Sequence, residues 1–110
     1  MIKRVSLLRR HAHLSVAEFF AHWSGPHVDI VRQLPRLRGL RLGPVQSWSP
    51  QDAAWDGVGE IWFDTVVDAE AAFASEPCRS LLIEDRKLFI AEVQSCFVTE
   101  HTVIAPPDGR

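Results

Sequence analysis

Hydrophobic positions change their period along this chain, from alternation to a three-and-four spacing and back, once in each half. Residues 2–10 mix Ile2, Val5, Leu7 and Leu8 with polar neighbours, as a first strand does, and His11-Ala12-His13 follows as a polar turn. Ser15 and Glu18 then match the capping box S-x-x-E, and Leu14 is placed to staple onto Phe19, so two independent signals start a helix here. Val16, Phe19, Phe20, Trp23, His27, Ile30, Val31 and Leu34 carry it on at spacings of three and four, one apolar stripe directed at a sheet. Pro26 interrupts that stripe. Proline disfavours helical geometry at Gly25 and suits a first helical position, which predicts a kink or restart with His27 in its first turn.

Pro35 and Gly39 punctuate the exit, and Leu40-Arg41-Leu42 begins a second strand directed toward Trp48. Residues 49–57 read as a loop with an exposed Trp55, and Val58 to Phe63 as a third strand. Alternation there places Val58, Glu60 and Trp62 on one face and Gly59, Ile61 and Phe63 on the other. Thr65 and Asp68 cap a second helix through about Ser75, Pro77 opens another helical piece reaching toward Glu92, and Val93 to Ile104 forms the last strand. The predicted domain is therefore 1–104, with 105–110 as a frayed tail. The order β-α-β, β-α-β fits an α+β, ferredoxin-like split βαβ domain with an antiparallel four-stranded sheet. Its helices cover one sheet face. No segment remains for the other, so self-association into a homodimer is the economical solution.

Composition narrows the function classes. The 110 residues suit one domain, and 12 Lys+Arg against 14 Asp+Glu leave a net charge of −2, with no excess to seek phosphate or anionic lipid. The expected partners exclude nucleic acid and membrane. Met1 to Val5 start out like a signal peptide, but Arg9 and Arg10 cut the apolar run short, and no stretch nears the roughly 20 apolar residues of a bilayer span. A cytoplasmic protein follows as the expectation. Cys78 and Cys96 lack metal-ligand spacing and sit in apolar segments, which predicts buried, reduced thiols.

Chemistry has few candidates. His27 lies on the apolar stripe four residues after Trp23. It serves either as a core histidine hydrogen-bonded to backbone or as a base, held neutral by the positive end of a restarted helix. Glu60 either pairs with Arg41 or Arg4 as a structural carboxylate or protonates a substrate, and a mid-sheet carboxylate without a partner is costly. Trp23 and Trp62 are core residues or a platform for planar apolar ligands, while Trp48 and Trp55 cover a pocket mouth or lie in a dimer interface. His22 and His27, five apart, fall on different faces of a regular helix, so no metal site is expected. No Gly-rich phosphate loop, G-x-S-x-G elbow or C-x-x-C occurs, which predicts chemistry without a cofactor.

The chain resembles the EthD-like branch of the dimeric α+β barrels, whose relatives include muconolactone-isomerase-like and polyketide-cyclase-like proteins. The likeness rests on Leu7-Leu8-Arg9-Arg10, on Leu14-Ser15-x-x-Glu18-Phe19, on His22-Trp23-x-x-x-His27 and on Asp56 through Phe63, with Glu84-Asp85, Phe89 and Val98-Thr99-Glu100 behind them. His11 and His13 depart from the Pro and Gly more usual in that turn. The resemblance implies two subunits whose sheets face each other around a barrel, a pocket between sheet and helices in each, and a pocket-lining role for His27.

The resulting expectation is a cofactor-independent enzyme acting on a small apolar carbonyl, lactone or polyketide-like compound in a degradative or tailoring pathway. His27 would transfer the proton, in an isomerisation, cyclisation or dehydration, with Trp23, Glu60, Trp62 and Arg41 as substrate-binding residues. The alternatives are an accessory protein that holds an apolar intermediate for a partner oxidase, and cofactor-free monooxygenase chemistry.

Overall fold

Both halves fold as β-α-β units onto one antiparallel sheet. A computed structural model describes residues 1–50 and 53–107; part of the expected 49–57 loop and of the expected tail lies outside the described residues. The elements run β1 (Ile2–Arg10), α1 (Val16–His22), a π-helical turn (Trp23–His27), α2 (Val28–Val31), β2 (Gly39–Pro44), β3 (Gly57–Phe63), α3 (Val66–Ala74), α4 (Cys78–Phe89) and β4 (Ile90–Val98). The sheet order is β2-β3-β1-β4, every neighbour antiparallel, which is the ferredoxin-like arrangement.

The local signals translate directly. Ser15 Oγ accepts from Glu18 N at 3.0 Å while Ser15 N donates to Glu18 Oε1 at 2.8 Å, a complete capping box. Thr65 Oγ1 caps α3 by accepting from Asp68 N at 3.1 Å. The two outer strands end where their partners do. Pro44 pairs with Gly57, the first residue of β3, and has no N–H to carry a ladder further. The expected extension of β2 toward Trp48 therefore does not form. β4 starts at Ile90 rather than Val93, turning extended directly after the buried Phe89, and stops at Val98 opposite Lys3 because β1 is about to run out. Val103 and Ile104, expected in the strand, are instead exposed.

The helical stripe is also re-phased. Phe19, Trp23, Val28, Val31 and Leu34 are buried, whereas Val16 and Phe20 face out. The step from Trp23 to Val28 is five residues, because Pro26 has no N–H for the carbonyl four residues back and the turn opens to an i→i+5 spacing. Pro26 thus widens the helix where the sequence predicted a restart.

Helices cover the sheet face that carries Arg4, Ser6 and Leu8 of β1 with Gly57, Gly59, Ile61 and Phe63 of β3. Two core clusters lie on that face. One joins Leu8, Phe19, Trp23 and Phe89; the other joins Val31, Leu34, Phe63, Ala69, Ala72 and Cys78. Cys96 corrects the buried-thiol expectation: it pairs with Val5 on the opposite, helix-free face and is exposed, while Cys78 is buried.

Trp23 reaches the sheet only because β3 begins with glycine. A Cβ on Gly57 would lie 2.6 Å from Trp23 Cζ3 and 2.8 Å from Cη2, inside van der Waals contact, so the buried ring would have to shift from its seat. Gly57→Ala should therefore destabilise the fold by about 1–3 kcal/mol, read as a lowered urea midpoint at unchanged slope. An unchanged midpoint would mean that the Trp23 ring is not seated on this strand.

Candidate functional site

Between the two core clusters the sheet and helices enclose a cavity of about 270 Å³, just below the roughly 300–1,000 Å³ common for small-ligand pockets. Its floor is Ser6, Leu8, Leu40, Leu42, Gly59 and Ile61; Trp23, His27, Val28 and Val31 form one wall, and Leu82, Ile83 and Phe73 stand opposite. The lining is mostly apolar. Among the described residues its titratable groups are His27 and the arginines Arg4, Arg79 and Arg86.

His27 is held from behind. Its Nδ1 lies 2.8 Å from Asp85 Oδ2, and His22 Nε2 lies 2.9 Å from Asp85 Oδ1, so one carboxylate takes both imidazoles. A carboxylate only accepts, hence both rings donate to it. With its proton committed to Nδ1, His27 keeps a lone pair on Nε2, which has no hydrogen-bond partner among the described residues. The π-helical turn makes this arrangement possible. Five residues separate His22 from His27, and the i→i+5 geometry brings onto one side two rings that a regular helix would splay apart. Phe89 supports both from beneath, with centroids 4.7 Å from His22 and 5.0 Å from His27. His22 and His27 thus share a side, contrary to the different faces expected of a regular helix, and each ring is spent on a separate carboxylate oxygen.

Burial, foremost, pushes the His27 imidazole below its ordinary pKa of 6.5; the Asp85 hydrogen bond and charge oppose this, and His22 adds slightly to it. This favours the neutral ring at pH 7. Asp85 is the residue that sequence reasoning left without a role. The signal was present: Cys78, Leu82, Asp85 and Phe89 recur at four, three and four along α4, so an aspartate occupies a position on the core stripe.

The other expected site residues divide between the two sheet faces. Trp23 and His27 line the cavity; Glu60, Trp62 and Arg41 do not, since they lie on the helix-free face, where Lys3, Glu60 and Arg41 stand side by side or diagonally across β1, β3 and β2. Their assignment to the same pocket as His27 is corrected by strand parity, which sends Glu60 and Ile61 to opposite sides. Glu60 pairs with Lys3 at 2.6 Å, neither with Arg41 nor with Arg4, and that bond raises the Lys3 pKa. Trp62 Nε1 donates to Glu100 Oε1 at 2.9 Å, with the Arg41 guanidinium 5.3 Å from its ring centroid. Trp48 and Trp55 do not border the cavity; Trp48 is exposed and Trp55 lies 5.0 Å beneath the Arg9 guanidinium.

A ferredoxin-like domain with a small apolar cavity and a carboxylate-oriented histidine at its wall is the class that fold and site define. The chain belongs to the EthD domain family, whose pattern matches residues 11–92. It is 25% identical over 101 residues to an uncharacterised 11.0 kDa protein of Rhodococcus erythropolis, covering 92% of this chain and 97% of that one. Among solved structures it is similar to an ethyl tert-butyl ether D (EthD) family protein of Bacillus halodurans, with a TM-score of 0.76, 16% identity, and 92% and 99% of the two chains covered. A dimeric ferredoxin-like protein of unknown function from Thermobifida fusca aligns with a TM-score of 0.67 and 13% identity over 90% of each chain. These structural likenesses speak to the fold. Among the described residues no helix is long and apolar enough to cross a membrane.

The folded His27 binds its proton at lower pH than the unfolded residue does, so its contribution to stability is complete above pH 6.5 and is lost as pH falls through the lowered folded value. In an NMR titration His27 should have its midpoint below 6.5, and Asp85→Asn should lower it further, because Asp85 favours the protonated ring. A midpoint above 6.5, or a rise in the variant, contradicts the assignment.

Proposed function

We propose that the protein is a cofactor-independent enzyme that moves a proton on a small, largely apolar carbonyl compound, with His27 as the base. The observation that carries this reading is the 2.8 Å bond from His27 Nδ1 to a carboxylate, in a ring whose side chain also borders the apolar cavity. The chemistry follows from the proton count. His27 Nε2 takes a proton from the carbon next to a carbonyl, the bonding pair moves into the enolate, and the imidazolium so formed donates to Asp85. Return of that proton to a different carbon gives isomerisation; its return to a departing hydroxyl gives dehydration. Asp85 touches no guest in this scheme and acts by fixing the tautomer and steadying the transient positive charge. Burial keeps the ring neutral and ready, and an apolar enclosure strengthens each charge interaction along the path.

We further infer that two copies pair through the helix-free sheet face as a dimeric α+β barrel. Val5, Leu7, Val58, Trp62 and Val98 lie there with no helix to cover them, and the Thermobifida fusca relative of the same fold is dimeric. Lys3, with Glu60 at 2.6 Å and Glu100 at 3.3 Å, would enter that interface already paired.

His27→Gln should lower turnover by about 10²–10⁴ on any small ketone or lactone the wild type accepts, with binding retained as tryptophan quenching. Unchanged turnover removes His27 as the base, and binding without turnover in the wild type marks a carrier instead. For assembly, the wild type should sediment as a dimer at micromolar concentration and Trp62→Glu as monomer or aggregate. A clean wild-type monomer sinks the barrel.

A further inference from the structure

We infer that the cavity selects small apolar molecules that carry a single carboxylate, held by Arg4 and Arg86. This deepens the function proposed above and rests on its claim that the cavity takes a small apolar guest.

Arg9, Arg10, Arg36, Arg38 and Arg79 each have a carboxylate within 4.0 Å. Among the described residues Arg4, Arg32, Arg41 and Arg86 have none, and of these four only Arg4 and Arg86 line the cavity. Among the described residues no Asp or Glu lines it. A desolvated cation beside a second cation is a costly arrangement unless something negative completes it. Burial, and after it the charge of Arg86, push the Arg4 guanidinium pKa below its ordinary value, which reflects the same deficit.

Geometry supplies a second argument. The Arg4 guanidinium carbon lies 4.5 Å from the Phe73 ring centroid, a cation–π contact that restrains the group without using its N–H donors, which stay available to a planar acceptor. It has no hydrogen-bond acceptor among the described residues, yet none of its nitrogens is sealed from solvent. Carboxylate is the anion whose two oxygens match that fork.

Placement then orients the guest. Arg4 and Phe73 stand beside the cluster that contains Phe63, whereas His27 meets Phe89 edge to face beside the cluster of Leu8 and Trp23. Arg4 and Leu8 are four residues apart on β1, about 13 Å along the strand. A carboxylate at Arg4 would therefore lay the apolar body over Ser6 and Gly59, toward Trp23, and present the far end to His27. Reactive carbon and carboxylate should be separated by several bonds.

The test uses the whole chain and pairs of probes differing only in charge: benzoate with benzamide, and hexanoate with hexanamide, measured by calorimetry at pH 7.5. Each acid should bind wild type at least about tenfold more tightly than its amide. Arg4→Gln and Arg86→Gln should each erase most of that preference while leaving amide affinity unchanged; Arg86, exposed on α4, keeps the test informative if Arg4→Gln folds poorly. His27→Gln should retain the preference. Failure of the acids to bind, equal affinity of acid and amide, or a preference that survives Arg86→Gln overturns the inference. Acid preference in a protein that turns over nothing would leave it standing and remove the proton-transfer reading instead.

Discussion

One buried carboxylate organises the helical side of this molecule. Asp85 accepts one N–H from His22 and one from His27, and each oxygen is used once. A carboxylate taken from water without such partners costs several kcal/mol, so α4 can carry Asp85 on its core stripe only if two donors arrive from the other helical layer. They arrive because Pro26 opens the helix by one residue between Trp23 and Val28. That extra residue has two effects. It aligns His22 with His27, and it keeps Val28, Val31 and Leu34 in phase with the core after Phe19 and Trp23.

The sheet separates two kinds of chemistry by residue parity alone. Along β1, Lys3, Val5 and Leu7 point to the helix-free face, while Arg4, Ser6 and Leu8 point into the cavity. Lys3 has two carboxylates within 4.0 Å and Arg4 has none among the described residues. A one-residue register slip would exchange the two sets, and Trp23 seated against Gly57 helps to forbid it, since only glycine lets that ring approach. The charge-paired face suits burial against a second copy. The cationic cavity suits a guest.

How much of this was legible in the sequence depended on the range of the determining interaction. Ser15 with Glu18 and the alternation from Val58 to Phe63 are local, and both appear in the fold, the strand starting one residue earlier at Gly57. His27 and Trp23 were located by their stripe, which is local too. Asp85 was not assigned, because its role depends on groups 58 and 63 residues away in sequence. The exclusion of a shared site for His22 and His27 assumed a uniform helix, and a single proline defeats that assumption. Glu60 and Trp62 appear on a common face as alternation implies, yet they and Arg41 lie away from the cavity that His27 lines. Their face was legible from parity; which face the helices would leave for the cavity, and that Lys3 would claim Glu60, required the fold.

The central claim is that Asp85 presents His27 to the cavity as a neutral ring with its lone pair on Nε2. Nitrogen-15 NMR of the imidazoles at pH 7 tests it directly, because protonated and unprotonated ring nitrogens resonate far apart. The account predicts that His27 carries its proton on Nδ1 and none on Nε2, and that Nε2 is the nitrogen perturbed when a small apolar guest enters. An imidazolium at pH 7, or a proton on Nε2, would contradict it.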